Sequence, residues 1–437
     1  MVDVDELDVI IIGGGMAGLE VARFLKSEKV LVVEAGILTS DLPVSVSQWC
    51  RPLTTDETWW PQFSSTSANH FSRGFGLRRR LGGRSLCWHG VSLPMEDYAY
   101  DHHWPEHTKS WTRSDNEPFS VHQKALAGMC FAPDGVTFDN YRVAPILRSS
   151  SSLPFRRDGV YTPLDHLRYD NGSILLGHQV HSVRKAQELF EVRVNDGGGS
   201  TLMRSRFVVF ACGAAMNGFL RRELRPDLGR SFLRDHIVVG RSLIAEASSC
   251  RLPYPLQFRT IADLRTRVFV SVEGWSGGVK IDLWTMGADI GSFEAEIGDR
   301  RIEVCRDSIL TSYAERCHEL ASLADAELNS IARQVGLGRP RFVGWDDRID
   351  SHEATVRLAE GSLPIGEAVP FEGMLGAADH EHGSVPFGVV DQYGELIGCS
   401  GAFFAGPSCF PSLGGTNPTL SSLAQCRTTA ERMSALT

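Results

Sequence analysis

Four consecutive apolar residues, Val9-Ile10-Ile11-Ile12, run between Asp8 and the triplet Gly13-Gly14-Gly15. A short continuous apolar run bounded by a turn signal predicts a buried strand. From Leu19 to Lys26 the apolar positions return at helical spacing, and Val30-Leu31-Val32-Val33 forms a second apolar run closed by Glu34. Ile174 to Val194 reads as strands, with His178-Gln179-Val180-His181-Ser182-Val183 followed by Glu191-Val192-Arg193-Val194, and Arg206-Phe207-Val208-Val209-Phe210-Ala211-Cys212-Gly213-Ala214 is a buried strand ending in small residues. Val268 to Val272 and Val279 to Trp284 alternate like half-buried antiparallel strands. Ser308 to Val335 carries Leu310, Tyr313, Cys317, Leu320 and Leu323 at three- and four-residue spacing, which predicts a helix. Residues 40 to 80 show no readable period, 95 to 147 read as loop, and no internal repeat or low-complexity linker interrupts the chain.

The first five elements form a unit: strand, glycine turn, helix, strand, acid. Gly13-x-Gly15-x-x-Gly18 in that setting is a dinucleotide fingerprint. Gly13 permits the tight turn, Gly15 lets the backbone approach a pyrophosphate, and Gly18 lets the helix pack close on the strand. The helix N-terminus then supplies N–H groups and a positive dipole to the phosphates, with Met16 and Ala17 of the preceding turn among the expected cofactor contacts. Glu34, beside Ala35, lies 21 residues after Gly13, placed to accept from a ribose hydroxyl. The bland alternative, a tight turn with no ligand, explains the glycines but not the acid in register. A second glycine element, Leu81-Gly82-Gly83-Arg84-Ser85-Leu86-Cys87-Trp88-His89-Gly90, reads either as backbone pressed against a flat ring system or as a turn entering a strand.

Composition narrows the class. With 437 residues, 42% apolar and 22% charged, the chain suits two globular domains. A formal net charge of -9 argues against a nucleic-acid binder, and Arg78-Arg79-Arg80 is a solvated or cofactor-side patch. Met1 to Asp8 is acidic with no leader pattern, and no run of about 18 apolar residues occurs. Ten scattered cysteines without a Cys-x-x-Cys pair suit reduced thiols in a cytoplasm and give no zinc signal. The pair His102-His103 lacks a recognisable third ligand, so no metal site is expected.

Taken in order, these elements resemble the glucose-methanol-choline (GMC) family of flavin oxidoreductases. The likeness is carried by the fingerprint with Glu34, Leu81-Gly82-Gly83-x-Ser85, Phe210 to Ala214, Gly229-Arg230-Ser231-x-Leu233-x-Asp235-His236, and His380-x-x-Gly383-Ser384. It closes with Val390-Asp391 and Phe410-Pro411-Ser412-x-Gly414-Gly415-x-Asn417-Pro418-Thr419-Leu420. The resemblance implies an α/β fold, with a Rossmann-like FAD-binding domain assembled from residues 1–94, 170–250 and 375–437. A substrate domain with an antiparallel sheet and helices would come from 95–169 and 251–374. It implies bound FAD, contacted also by Arg79, Cys87, Val180, Ala211, Gly213, Gly406, Pro418 and Thr419, and oxidation of an alcohol. Gly82-Gly83-Arg84-Ser85-Leu86-Cys87-Trp88 and Ala405-Gly406-Pro407-Ser408 look most like the pyranose oxidase branch, which points to a sugar, glycoside, cyclitol or natural-product hydroxyl. Three departures matter. Cys87 stands where covalent members carry a flavin-linking histidine; Ser384-Val385-Pro386-Phe387-Gly388 replaces the commoner Thr-Cys-Arg-Met-Gly; and the reduced 95–170 region leaves a pocket that is more open or completed by a second copy of the chain.

Oxidising an alcohol removes a proton from oxygen and a hydride from carbon. An imidazole suits the first task, and His380 is the expected base. Asn417, which cannot ionise, would hydrogen-bond the substrate oxygen. The pair Asn417-Pro418 also suits a helix N-cap and first helical residue. His382 would point away from His380 in an extended segment. The electrons would pass to oxygen or another acceptor. A redox-neutral lyase and a catalytically silent flavin-binding partner share the fold and stand as rivals; one fingerprint alone argues against a nicotinamide dehydrogenase.

Overall fold

The structure, a computed structural model, describes residues 7–27, 29–37, 59–60, 62–65, 77–78, 80–86, 88–100, 103–106, 108, 130–131, 136–152, 154–156, 158–166, 174–195, 197–213, 216–228, 231–246, 254–275, 277–288, 293–297, 301–304, 310–373, 380 and 382–436.

The first unit is built around β1 (Leu7–Ile12). It continues through α1 (Met16–Phe24), β2 (Val30–Glu34), β3 (Ile174–Leu176), β4 (Gln179–Ala186), β5 (Leu189–Asn195) and β6 (Ser200–Phe210). β1 lies between β2 and β6, parallel to both, and β3 extends the sheet beyond β2. The far half of β6 pairs antiparallel with β5, and β5 with β4. The apolar run of β1 is explained by its two covered faces. Ile10 and Ile12 join one core with Val208, Phe210 and Phe404. Val9 and Ile11 join another with Leu19, Val209 and Phe403. Successive side chains point to opposite faces, so a strand covered on both must be apolar throughout.

The second unit is an antiparallel sheet. Its long strands are β7 (Ile237–Glu246), β8 (Tyr254–Ile261), β9 (Thr266–Trp275) and β10 (Gly278–Gly287). These are followed by α2 (Leu310–Gln334), α3 (Ser351–Glu360) and β11 (Glu367–Gly373). The order is β11-β7-β10-β9-β8, with Arg142–Val143 added beside β8. β7 lies wholly in this sheet, between β10 and β11, although the resemblance assigns its residues to the FAD domain. The strands expected to be half-buried are covered on both faces. Val268, Val270, Ile281 and Leu283 pack with Ala324, Leu328 and Ile331 of α2, whereas Phe269 and Met286 meet Val91, Leu93 and Ile146 on the other side.

The chain then returns to the first unit. β12 (Ala402–Phe404) adds to β6 in parallel, and α4 (Thr419–Ser434) packs near α1, with Cys426, Ala430 and Met433 in the core holding Leu19 and Val21. The cofactor fold is thus discontinuous, and its last segment carries the residues singled out for catalysis. No helix among the described residues is long and apolar enough to cross a membrane.

Candidate active site

One end of the site is a glycine turn. Gly13 has φ +103°, and a Cβ there would lie 2.8 Å from the Ala211 carbonyl oxygen. A Cβ on Gly18 would sit 1.9 Å from the Gly13 carbonyl oxygen, so the helix can approach the strand only without a side chain. Gly15 differs: a Cβ there meets nothing within 4 Å. No side chain caps α1, whose N-cap is Gly15 and whose first residues are Met16 and Ala17. Open space in front of such a helix end is where an anion binds. At the end of β2, the buried Glu34 carboxylate accepts the Gly14 N–H through Oε2 and the Gly36 N–H through Oε1, both at 2.7 Å, on either side of Ala35. The hydrogen bonds fix its direction and leave lone pairs for a ribose.

The second glycine element does not simply face a ring. Gly82 donates its N–H to the Gly14 carbonyl at 2.7 Å, and a Cβ on Gly83 would lie 3.1 Å from Gly15 Cα. The two glycine segments are pressed backbone to backbone. Ser85 is wholly buried, with its hydroxyl on the Gly82 carbonyl at 2.7 Å and on Thr162 at 2.6 Å, so it braces this turn. Gly406, with φ +108°, closes on the same helix start, where a Cβ would lie 3.2 Å from that of Ala17. Ala211 and Gly213, the latter at φ +59°, end β6 behind the turn. Val180 opens β4 just after His178, whose N–H is bound by the Glu34 carbonyl. Arg79 and Cys87 lie outside the described residues, as does His102. The uncapped helix end, the open face at Gly15 and the anchored acid fit the pyrophosphate and ribose of FAD.

The other end of the site is assembled from distant segments. His380 is half-buried; His382, two residues on, is wholly buried and exchanges backbone hydrogen bonds with Arg234 at 3.0 Å in both directions. That bridge brings His236 beside His380: their Nδ1 atoms are 3.0 Å apart and the rings meet edge to face at 86°. His236 Nε2 is 2.7 Å from the Gly414 carbonyl oxygen. Burial, then the neighbouring His236, Arg84, His382 and His89, hold His380 well below the usual imidazole range, which leaves it an unprotonated base at neutral pH. His89 is itself pushed down to about 4 by burial and by Arg156, and its ring stands edge-on to Trp284, centroids 5.5 Å apart.

The Gly414-Gly415 segment is threaded between tight neighbours. A Cβ on Gly414 would lie 1.9 Å from Glu96 Oε2, and one on Gly415 would lie 2.6 Å from the Arg267 backbone nitrogen. Glu96 pairs with the buried Arg267 at 2.6 Å, and Thr416 donates to Glu96 at 3.2 Å. Asn417 follows. Its Nδ2 donates to the Val91 carbonyl at 2.9 Å, while Oδ1 is buried without a hydrogen-bond partner. The open atom is thus an acceptor, whereas the sequence reading left donor and acceptor undistinguished. Asn417 is also not the N-cap of α4: that place belongs to Pro418, and Thr419 is the first helical residue, because the Asn417 amide is drawn away to Val91. Asp235, His236 and His380 place one potential ligand atom each within 4.8 Å of one another, a group that cysteine and histidine spacing did not anticipate. Hydrogen bonds account for their proximity: Asp235 Oδ1 accepts the His236 N–H at 2.8 Å, and both His236 ring nitrogens have neighbours within 3.0 Å. Asp235-His236 stands in the sequence only as the end of a motif, and nothing in local patterning shows that its imidazole reaches residues 380 and 414.

The FAD dependent oxidoreductase (DAO) family matches residues 8–315, and the chain belongs to it. FAD is accordingly the cofactor. The fold is shared with pyridoxine 4-oxidase from Mesorbium loti, at 17% identity and TM-score 0.64, covering 98% of this chain and 99% of that one. It is shared equally with a formate oxidase from Aspergillus oryzae RIB40, at 13% identity and TM-score 0.69, covering 100% and 99%. An FAD-dependent oxidoreductase from Chaetomium thermophilum aligns at 14% identity and TM-score 0.63, covering 98% of each chain. No curated protein matches the sequence.

Proposed function

We propose that this flavoenzyme is of the GMC type and oxidises a CH–OH group, with His380 taking the hydroxyl proton. The observation that carries this reading is the assembly around His380: a half-buried, neutral imidazole held on one side by His236 and grouped with the segment that ends in Asn417. Bound FAD supplies a two-electron acceptor for the hydride. His380 receives the proton as the C–H electron pair leaves carbon, and the alcohol becomes a carbonyl, so charge and electrons balance. The buried, partnerless Oδ1 of Asn417 needs a donor from the ligand. A substrate whose reacting hydroxyl points at His380 and whose second O–H or N–H reaches Asn417 satisfies both groups. That requirement supports a polyhydroxylated ring, such as a sugar, glycoside or cyclitol. Molecular oxygen as the final acceptor is in keeping with the names of the pyridoxine and formate oxidases that share the fold. The free thiols of Cys212, Cys317, Cys399, Cys409 and Cys426 favour a reducing, cytoplasmic setting.

The reading is tested by anaerobic mixing of the yellow holoenzyme with a panel of sugars, glycosides and cyclitols. The flavin bleaches with substrate. His380→Ala keeps its flavin and bleaches at least ~100-fold more slowly, within the range for loss of a general base. Bleaching by the variant at the rate of the native enzyme would remove His380 from the chemistry, and turnover without bleaching would instead favour a redox-neutral lyase.

A further inference from the structure

We infer that His236 is a positioning residue: anchored on the Gly414 carbonyl, it fixes which nitrogen of His380 is free to act as base. The inference rests on His380 being the base, and it follows from the direction of two hydrogen bonds. A carbonyl oxygen only accepts, so at 2.7 Å His236 Nε2 must carry its proton toward Gly414. Burial at 1% exposure disfavours the charged form of His236, and a neutral imidazole has one N–H, which makes its Nδ1 an acceptor. The atom facing it at 3.0 Å is His380 Nδ1, which must then be the donor. With its proton on Nδ1, neutral His380 has its lone pair on Nε2, directed away from His236. The tautomer of the base is thus dictated from a carbonyl 34 residues along the chain. When Nε2 takes the substrate proton, His380 becomes an imidazolium, and its Nδ1–H bond to His236 gains the strength of a charged donor.

The anchor is itself rigid. His236 is 1% exposed, its backbone N–H is bound by Asp235, and Gly414 is confined by Glu96. The Arg234–His382 bridge, also two hydrogen bonds, sets the spacing between the segments that carry the two rings. These groups act on the direction of one lone pair. In serine hydrolases a carboxylate that holds the catalytic imidazole in its working tautomer contributes ~10⁴ in rate; here an imidazole takes the accepting place.

Two substitutions separate the roles of the His236 nitrogens. In His236→Asn, the amide oxygen can stand where Nδ1 stood and still accept from His380. In His236→Gln, the amide nitrogen reaches the Nε2 position and Gly414 but leaves no acceptor for His380. The expected result for flavin-loaded enzyme is a bleaching rate at saturating substrate within about fivefold of native for His236→Asn. His236→Gln should lose ~100-fold or more with KM changed less than about threefold, in line with general-base effects. Equal rates for His236→Gln and native enzyme would overturn the inference. Nitrogen NMR of the native holoenzyme with labelled histidine, assigned through His380→Ala, is independent of how the variants fold. It should show His380 protonated on Nδ1 and bare on Nε2; the opposite tautomer would also overturn the inference. Failure of the base assignment is seen separately, as undiminished bleaching by His380→Ala.

Discussion

The two ends of the site are held by opposite means. Around the cofactor turn, position is set by absent side chains: at Gly13, Gly18 and Gly83 a Cβ would crowd neighbouring backbone, and at Gly82 and Gly406 it would crowd Leu164, Leu86 and Ala17. Around His380, position is set mainly by side chains that reach across the chain, His236 to His380 and Gly414, Thr416 to Glu96, Asn417 to Val91, with Gly414 and Gly415 the steric exceptions. Steric closeness tolerates no intermediate state, whereas a hydrogen-bonded assembly can loosen one contact at a time. The cofactor end should therefore fail as a unit, and the catalytic end should fail in rate while its flavin stays bound.

Gly18→Ala is the harshest way to break this contrast. The added methyl would lie 1.9 Å from a backbone oxygen, and neither partner can turn aside. The expected cost exceeds about 5 kcal/mol, at the far end of single substitutions, with flavin lost on gel filtration. A yellow, stable variant that is merely slower would show that the cofactor end also yields gradually.

Glu96→Gln probes the other end. It keeps the shape that confines Gly414 but leaves Arg267 as a buried cation without its carboxylate. Removing one member of a buried pair costs about 3–5 kcal/mol. Thermal denaturation should show that loss, while absorbance at the flavin band should show cofactor retained and stopped-flow bleaching should be slower. Loss of flavin at native bleaching rate in the remaining holoenzyme would reverse the assignment of the two ends.

The same contrast explains what could be read from the sequence. Glycine geometry is local: Gly13, Gly15, Gly18 and Glu34 fall within one strand–helix–strand unit, so their spacing alone exposed the cofactor end. Apolar runs located β1, β2, β6 and α2 for the same reason. The catalytic end depends on contacts between residues far apart in sequence. His380 and Asn417 were reached through family motifs, while the working orientation of the Asn417 amide and the reach of His236 belong to the tertiary structure. β7 belongs to the antiparallel sheet although its residues fall in the span assigned to the cofactor domain, because Gly240, Arg241 and Ser242 break its apolar pattern and its partners are distant in sequence. In Val268 to Val272 the alternation predicts one wet face, but Phe269 on that face is covered by Val91, Leu93 and Ile146.

Glu20 gives the smallest effect and the sharpest control, because it sits on α1 yet away from the glycine turn. It is wholly buried, and burial raises its carboxyl to about 7 despite the Tyr161 hydrogen bond and the charges of Arg23 and Arg427. The ordinary value in the unfolded chain is 4.5, so between 4.5 and 7 the folded protein binds the extra proton. The stabilisation is complete below 4.5 and is lost as pH rises through 7. Glu20→Gln has no proton to lose and can still accept from Tyr161. Its stability should match that of the native protein near pH 4.5 and exceed it by about 3 kcal/mol at pH 8, where the native carboxylate is charged and buried. Flavin content and bleaching rate should not change, since the carboxyl faces Tyr161 rather than the turn. Denaturation of both proteins across that pH range decides the matter: a gap that is constant with pH would mean Glu20 is charged throughout. A gap accompanied by weakened flavin binding would mean that α1 transmits strain to the glycine turn, and the division between a sterically fixed end and a hydrogen-bonded end would then have to be redrawn to include the helix.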